Sequence, residues 1–266
     1  MSRHKHMLIF GLGYTASRLA DALRQEGWRI DATGSDGNLD FDDAAAVGAA
    51  MAQASHVLSS VPPDRKSKSD DVLVRYGAAL AQAPARWIGY LSSTGVYGDA
   101  GGAWVDESAP IGGGRRSARA AADADWQALR ADVSIFRLPG IYGPGRSALD
   151  KVRGGSAHRI DLPGQVFSRI HVDDIVSAVI ASFDAPPGRY NIGDDRPASH
   201  NAVTEQACAL LGLDPPPLQT MDEAGLSQMA RGFYAENRRV ANGKAKRVLR
   251  WSPRFPDYKA GLRSLL

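Results

Sequence analysis

The chain of 266 residues predicts an α/β fold: a doubly wound parallel sheet with a smaller, mostly helical C-terminal lobe. Three observations carry that expectation. Short apolar runs alternate with longer helical patterns through the first half. A glycine turn stands directly between the first run and the first helix. The alternation fades after about residue 145.

The apolar runs are MLIFG, WRIDAT, HVLSSV, WIGYLSS and VSIFRL. Between them stand TASRLADALRQEG, DDAAAVGAAMAQA, KSDDVLVRYGAALAQA and RSARAAADADWQALRA. Strands separated by helices pair in parallel, because each helix carries the chain back across a face of the sheet. Beyond residue 145 the chain turns rich in Gly, Pro and Arg (GPGRSALDKVRGGSAHRIDLPG). It returns to a helix at VDDIVSAVIASF and a strand at RYNIG, and from SHNAVTEQACALLG onward it is helical, punctuated by DPPP and SPRFP.

Composition narrows the partners. Hydrophobic residues make up 44% and charged residues 23%, the balance of a globular protein with a core. The 32 Lys and Arg nearly match the 29 Asp and Glu, so no nucleic-acid footprint is expected, and the basic run from Arg238 to Arg254 reads as a solvated face. The single cysteine, Cys208, has helical neighbours that predict a buried thiol. No window approaches the roughly 18 apolar residues of a membrane span. The basic-then-apolar start MSRHKHMLIFGLG runs straight into a glycine turn and is rejected as a signal peptide, so a cytoplasmic protein is expected. The expected partner is a small molecule, with no nucleic acid, membrane or metal, in a monomer or homodimer.

The glycine turn carries the first chemistry. MLIFGLGYTASRLADAL reads strand, turn, helix, and Gly11, Gly13 and Ala16 supply G-x-G-x-x-A around Leu12, Tyr14 and Thr15. Gly11 permits the sharp turn, Gly13 leaves room for a pyrophosphate, and Ala16 lets the helix close on the strand. The anion would then rest on the helix N-terminal amides. At the end of the second strand, where an acid selects NAD and a basic residue NADP, the chain has Gly34 and Ser35. Ser35, with Arg18 nearby, suits a 2′-phosphate, whereas Asp36 suits a ribose hydroxyl; the balance leans slightly to NADP over NAD. On this reading residues 1–145 plus about 165–195 form the NAD(P)-binding domain, and about 146–164 plus 196–266 the substrate lobe.

Taken in order, GLGYTAS, YLSSTGVYGD, FRLPGIYGPGRS, IHVDDIVSA and YNIGDD resemble the extended short-chain dehydrogenase/reductase family, the NAD-dependent epimerase/dehydratase group. The resemblance implies that Ser93, with Thr94 beside it, brings a hydroxyl to the nicotinamide; the alternative is that both merely cap the strand end. It places Ser92, Pro139 and Ile141 along the nicotinamide, Asp40 and Phe41 beside the adenine, and Ser59 and Ser60 on the cofactor's path.

The family's proton-transfer pair is Tyr-x-x-x-Lys on the following helix. The resemblance puts Arg115 at the tyrosine position and Arg119 at the lysine position, four residues apart on one helix face. Arg119 keeps a positive charge for the ribose. Arg115 cannot act as a general base, because its guanidinium stays protonated. Tyr97, Tyr142, His171 and Glu107 become the candidate proton-transfer groups. Each has a structural alternative: the tyrosines as cleft packing, His171 as a helix N-terminal bond, Glu107 as a loop brace. Nucleotide-sugar members tend to carry Arg where this chain has Phe167, with Arg169 two residues on, which speaks against a diphosphate-sugar. Arg146, Lys151, Arg153 and Arg159 suggest an anionic ligand or, equally, a solvated surface.

Two functions follow. The first is an NAD(P)-dependent oxidoreductase or epimerase acting on a small carbonyl- or sugar-like substrate through a non-standard proton-transfer group. The second is a dinucleotide-binding redox sensor or interaction module without catalysis.

Overall fold

Five consecutive buried residues, His6–Phe10, form β1, a strand paired on both sides within the sheet. A computed structural model describes residues 5–114 and 117–266 of the chain. On one side β1 pairs with β2 (Arg29–Ala32) and on the other with β3 (His56–Ser59), which pairs with β4 (Trp87–Ser93). After a short β5 (Trp104–Val105) outside the sheet, β6 (Val133–Leu138) adds to β4. Past β7 (Gly140–Tyr142), β8 (Arg159–Ile160) and β9 (Arg169–His171), β10 (Arg189–Asn191) completes the far edge. The order is β10-β6-β4-β3-β1-β2 with every pairing parallel, so the predicted doubly wound α/β sheet is present.

Parallel strands are covered on both faces, and the period of two sorts their side chains. Met7 and Ile9 enter one core, Leu8 and Phe10 the other. The first core is closed by α1 (Tyr14–Gln25), which contributes Ala16, Leu19, Ala20 and Leu23. On the opposite face, α2 (Ala44–Gln53), α3 (Asp71–Ala81) and α4 (Ser117–Leu129) supply Met51, Tyr76, Leu80 and Trp126. Asp70 caps α3 by accepting from Val72 and Leu73 N–H, and its second oxygen accepts the Trp126 indole N–H at 2.9 Å. One carboxylate thus starts a helix and ties it to the next.

Beyond residue 145, α5 (Ala148–Arg153) starts at a Ser147–Asp150 capping box, and α6 (Val172–Ala181) returns to the first core beside α1. α7 (His200–Leu211) and α8 (Gln228–Tyr234) follow, then α9 (Gly243–Val248) and α10 (Tyr258–Arg263). Leu149, Val203, Ala207, Tyr258 and Leu262 form a separate small core, and Cys208 is buried on α7. Small parallel pairs stitch the lobe: β7 with β9, β8 with β11 (Leu218–Gln219), and β5 with β12 (Arg239–Val240). Ala245, Leu249 and Trp251 pack back into the first core.

The basic run from Arg238 to Arg254 is a solvated face only in part: Arg247, Arg250 and Arg254 are exposed, whereas others are engaged. Lys246 pairs with Asp195 at 2.6 Å, Lys244 lies over the Tyr190 ring, and Arg238 donates to the Gly98 carbonyl. Among the described residues, no helix is long and apolar enough to cross a membrane.

Candidate active site

Open α/β sheets bind ligands beyond the carboxyl ends of their strands, at the point where strand order reverses. Here β1 sends the chain to β2 on one side while β3 lies on the other, so the crevice falls at the Gly11–Gly13 turn and Ser60. A cleft of about 990 Å³ opens there. It runs from Gly13–Thr15 past the Ser92–Gly95 strand end and Pro139–Tyr142 into the C-terminal lobe.

The two motif glycines have separate reasons. Gly11 has φ +83, and a Cβ there would come within 2.8 Å of Val61 and 3.2 Å of the Ser60 hydroxyl. Its backbone is fixed by Thr33 Oγ1 and by Ser60, whose hydroxyl donates to the Gly11 carbonyl. A Cβ on Gly13 would meet no protein atom within 4 Å, and α1 begins there without any side-chain cap. The uncapped amides and the open approach fit a pyrophosphate. Leu12 and Ala16 are buried and shape the turn from behind; Tyr14 donates to the Pro144 carbonyl at 3.1 Å, with Arg146 over its ring.

At the end of β2, Gly34, Ser35 and Asp36 are exposed. Gly34 has φ +115, and a Cβ would lie 3.0 Å from the Leu12 nitrogen, which excludes an acidic side chain at that position. Arg18 does not help Ser35; it reaches Asp173 at 3.4 Å instead. Asp40 accepts from Asp42 N–H in a turn, and Phe41 packs edge-on against Phe10 and Tyr76. Neither Asp40 nor Phe41 lines the cleft, and Ser59 is fully buried behind it.

The hydroxyls at the end of β4 differ in their hydrogen bonds. Ser93 caps the following turn by accepting from Gly95 N–H at 3.1 Å, and both Ser93 and Thr94 line the cleft. Ser92 also borders the cleft, but its hydroxyl is taken by Asp123, to which it donates at 2.6 Å. Asp123 also takes two bonds from Arg137, and both of these side chains are fully buried. Arg137 donates in turn to the Tyr97 hydroxyl, which donates to Asn191 Oδ1, and the backbone N–H of Asn191 donates to Glu107. This network joins β4, α4, β6 and β10.

Three proposed proton-transfer groups are therefore committed elsewhere. Tyr97 and Glu107 belong to that network and do not line the cleft; burial pushes the Tyr97 phenol up. His171 accepts from Asp173 N–H as the cap of α6, and burial pushes its imidazole down. Tyr142 does line the cleft, but its hydroxyl is packed where a Cβ on Gly261 would stand, 1.9 Å away. Arg115 lies outside the described residues. Arg119 lines the cleft close to the Tyr90 hydroxyl, as Ser93 and Thr94 also line it.

Of the four basic residues read as an anion cluster, Arg146 and Lys151 border the cleft. Arg159 is taken by Glu205 at 2.8 Å and by the Pro216 carbonyl, and Arg153 is exposed outside the cleft. The C-terminal wall instead presents Phe167, Arg169, His158, His200 and Tyr234. No motif marks His158, His200 or Tyr234, because each comes from a separate segment and only the fold assembles them.

No family model matches the chain. A structure of a functionally unknown conserved protein from Silicibacter pomeroyi is 41% identical, with TM-score 0.86 over 98% of both chains. Protein YeeZ of Escherichia coli K12 is 28% identical over 86% of this chain and 92% of its own length. The human epimerase family protein SDR39U1, solved with NADPH, is 17% identical with TM-score 0.78 over 98% of both chains.

Proposed function

We propose that this chain, a member of the extended short-chain dehydrogenase/reductase family by its ordered motifs and its fold, is an NAD(P)-dependent oxidoreductase or epimerase. The observation that carries this reading is one continuous cleft joining the Gly13 turn, the Ser93–Thr94 hydroxyls and Arg119 to a separate C-terminal wall. A nicotinamide dinucleotide would supply a hydride donor or acceptor in that cleft. The remaining tasks fall to the chain's own residues. The amides at the start of α1 hold the pyrophosphate, Arg119 holds the nicotinamide ribose, and Pro139 and Ile141 shape the wall beside the ring. Ser93 or Thr94 donates a hydrogen bond to the reacting oxygen. The missing carboxylate at Gly34 favours NADP.

Calorimetric titration with NAD and NADP tests the reading. Wild type is expected to bind NADP more tightly, and Gly13→Val to lose both while its melting temperature stays unchanged. Arg119→Ala is expected to lose about 1.5–3 kcal/mol of cofactor affinity, the scale of a charged hydrogen bond. Unchanged affinity in Gly13→Val overturns the reading. Tight cofactor binding without turnover across carbonyl and sugar substrates would favour the redox-sensor alternative, which the arginine at the family's tyrosine position supports.

A further inference from the structure

We infer that the C-terminal half of the cleft is built to hold a carboxylate carried on an aromatic or conjugated skeleton, with Arg169 as its ionic partner. The inference rests on the cleft being the substrate end of the enzyme proposed above. It starts from the way Arg169 is held. Its Nη1 donates to the carbonyls of Phe167 and Ala198, each at 2.8 Å, and its Nη2 to the carbonyl of Ser199 at 3.4 Å. A guanidinium has five N–H donors, so two remain. Among the described residues no carboxylate stands within ion-pair distance of it, although the group borders the cleft. Burial lowers Arg169 to about 10, so it remains a cation at neutral pH. Asp194, the acid with the strongest influence on it, is pushed up to about 7 by burial and does not line the cleft. Arg169 is half-buried at the cleft wall, and a partly desolvated cation there is best met by an anion.

The surroundings define what carries that anion. Phe167 and Tyr234 meet edge to face at 5.6 Å, and the His158 and His200 rings lie 4.9 Å apart. His158 Nε2 lies 3.3 Å from the Tyr234 hydroxyl, whereas His200 Nε2 is buried with no hydrogen-bond partner. Burial, with His158, Arg169 and Lys151, drives His200 down to about 3, so both imidazoles stay neutral and act as polar planes beside the cations. Such walls accept a flat apolar body with one negative end. Phe167 also puts a ring where a phosphate-binding arginine would otherwise stand, which fits a carboxylate better than a diphosphate.

Calorimetry with cinnamate, its neutral amide cinnamamide, and UDP-glucose, with and without NADP, decides the matter. Wild type is expected to bind cinnamate at least about tenfold more tightly than cinnamamide, as a charged hydrogen bond requires. Arg169→Gln should abolish that discrimination while leaving NADP affinity unchanged. Should Arg169→Gln fail to fold, Phe167→Leu keeps the backbone carbonyl and is expected to weaken cinnamate severalfold. Equal affinity for cinnamate and cinnamamide, no saturable cinnamate binding, or tighter UDP-glucose binding overturns the inference. Loss of NADP binding with cinnamate binding intact would strike only the cofactor reading.

Discussion

Gly11 and Gly13 belong to one motif, yet the structure requires glycine at each for a different reason. Gly11 sits at positive φ with Val61 and Ser60 against its hydrogens, so Gly11→Ala should destabilise the fold by about 1–3 kcal/mol. Gly13 has ordinary extended backbone and no protein neighbour, so Gly13→Ala should shift stability by less than about 0.5 kcal/mol. Urea denaturation of the two variants checks the contrast; equal losses would mean that the turn, not a ligand, requires both. The motif was legible in the sequence because its spacing is local. Its division of labour was not, because Val61 and Ser60 come from the next strand end. Tyr142 makes the same point. Its sequence position suggested a proton donor, but its buried hydroxyl has no partner and occupies the space that a side chain on Gly261 would need. Tyr142→Phe should therefore leave stability unchanged or raise it, whereas a drop of more than about 1 kcal/mol would show a hydrogen bond that the packing hides.

At the scale of elements, the polar network between β4, α4, β6 and β10 explains why two plausible proton-transfer residues are unavailable. Sequence pattern located SSTGVYG at a strand end, and the strand is there. It could not say which hydroxyls are taken by other side chains, since that depends on Asp123 of α4 and on Arg137 arriving from β6. Ser92, Ser93 and Thr94 border the cleft, but the Ser92 hydroxyl is spent on Asp123, and Tyr97 is bonded to Arg137. Removing the shared carboxylate would leave the buried Arg137 cation unpaired. Asp123→Ala should accordingly cost about 3–5 kcal/mol of folding stability, the usual consequence of breaking a buried ion pair from one side. Chemical denaturation would measure it. A loss below about 1 kcal/mol would show that water or another acid replaces Asp123, and the network would then no longer account for the placement of Tyr97.

Over the whole molecule, the strand–helix alternation was legible because each unit announces itself within a dozen or so residues, and the parallel sheet follows from it. The C-terminal wall was not, because Phe167, His158, His200 and Tyr234 lie in four segments with no common spacing. Their burial has a consequence for acid stability that local sequence also conceals. His56 is enclosed by Trp28, Trp87 and Phe183 at the opposite end of the sheet, and burial lowers it to about 4; His200 falls to about 3. An unfolded histidine titrates near pH 6.5. Between that value and the folded one, the unfolded chain binds more protons, so the stability these neutral imidazoles carry is present above pH 6.5 and is lost as pH falls. Asp194, raised to about 7, acts with the opposite sign: its contribution is present below pH 3.8 and fades as pH rises towards 7. Single variants separate the two. Relative to wild type, His56→Leu should gain stability as pH falls from 6.5 to 4.5, by up to about 1.4 kcal/mol per pH unit. Asp194→Asn should gain instead as pH rises from 4.5 to 7. Urea midpoints across that range measure both, and curves parallel to wild type for either variant would mean that its group titrates in the folded protein as it does in the unfolded chain.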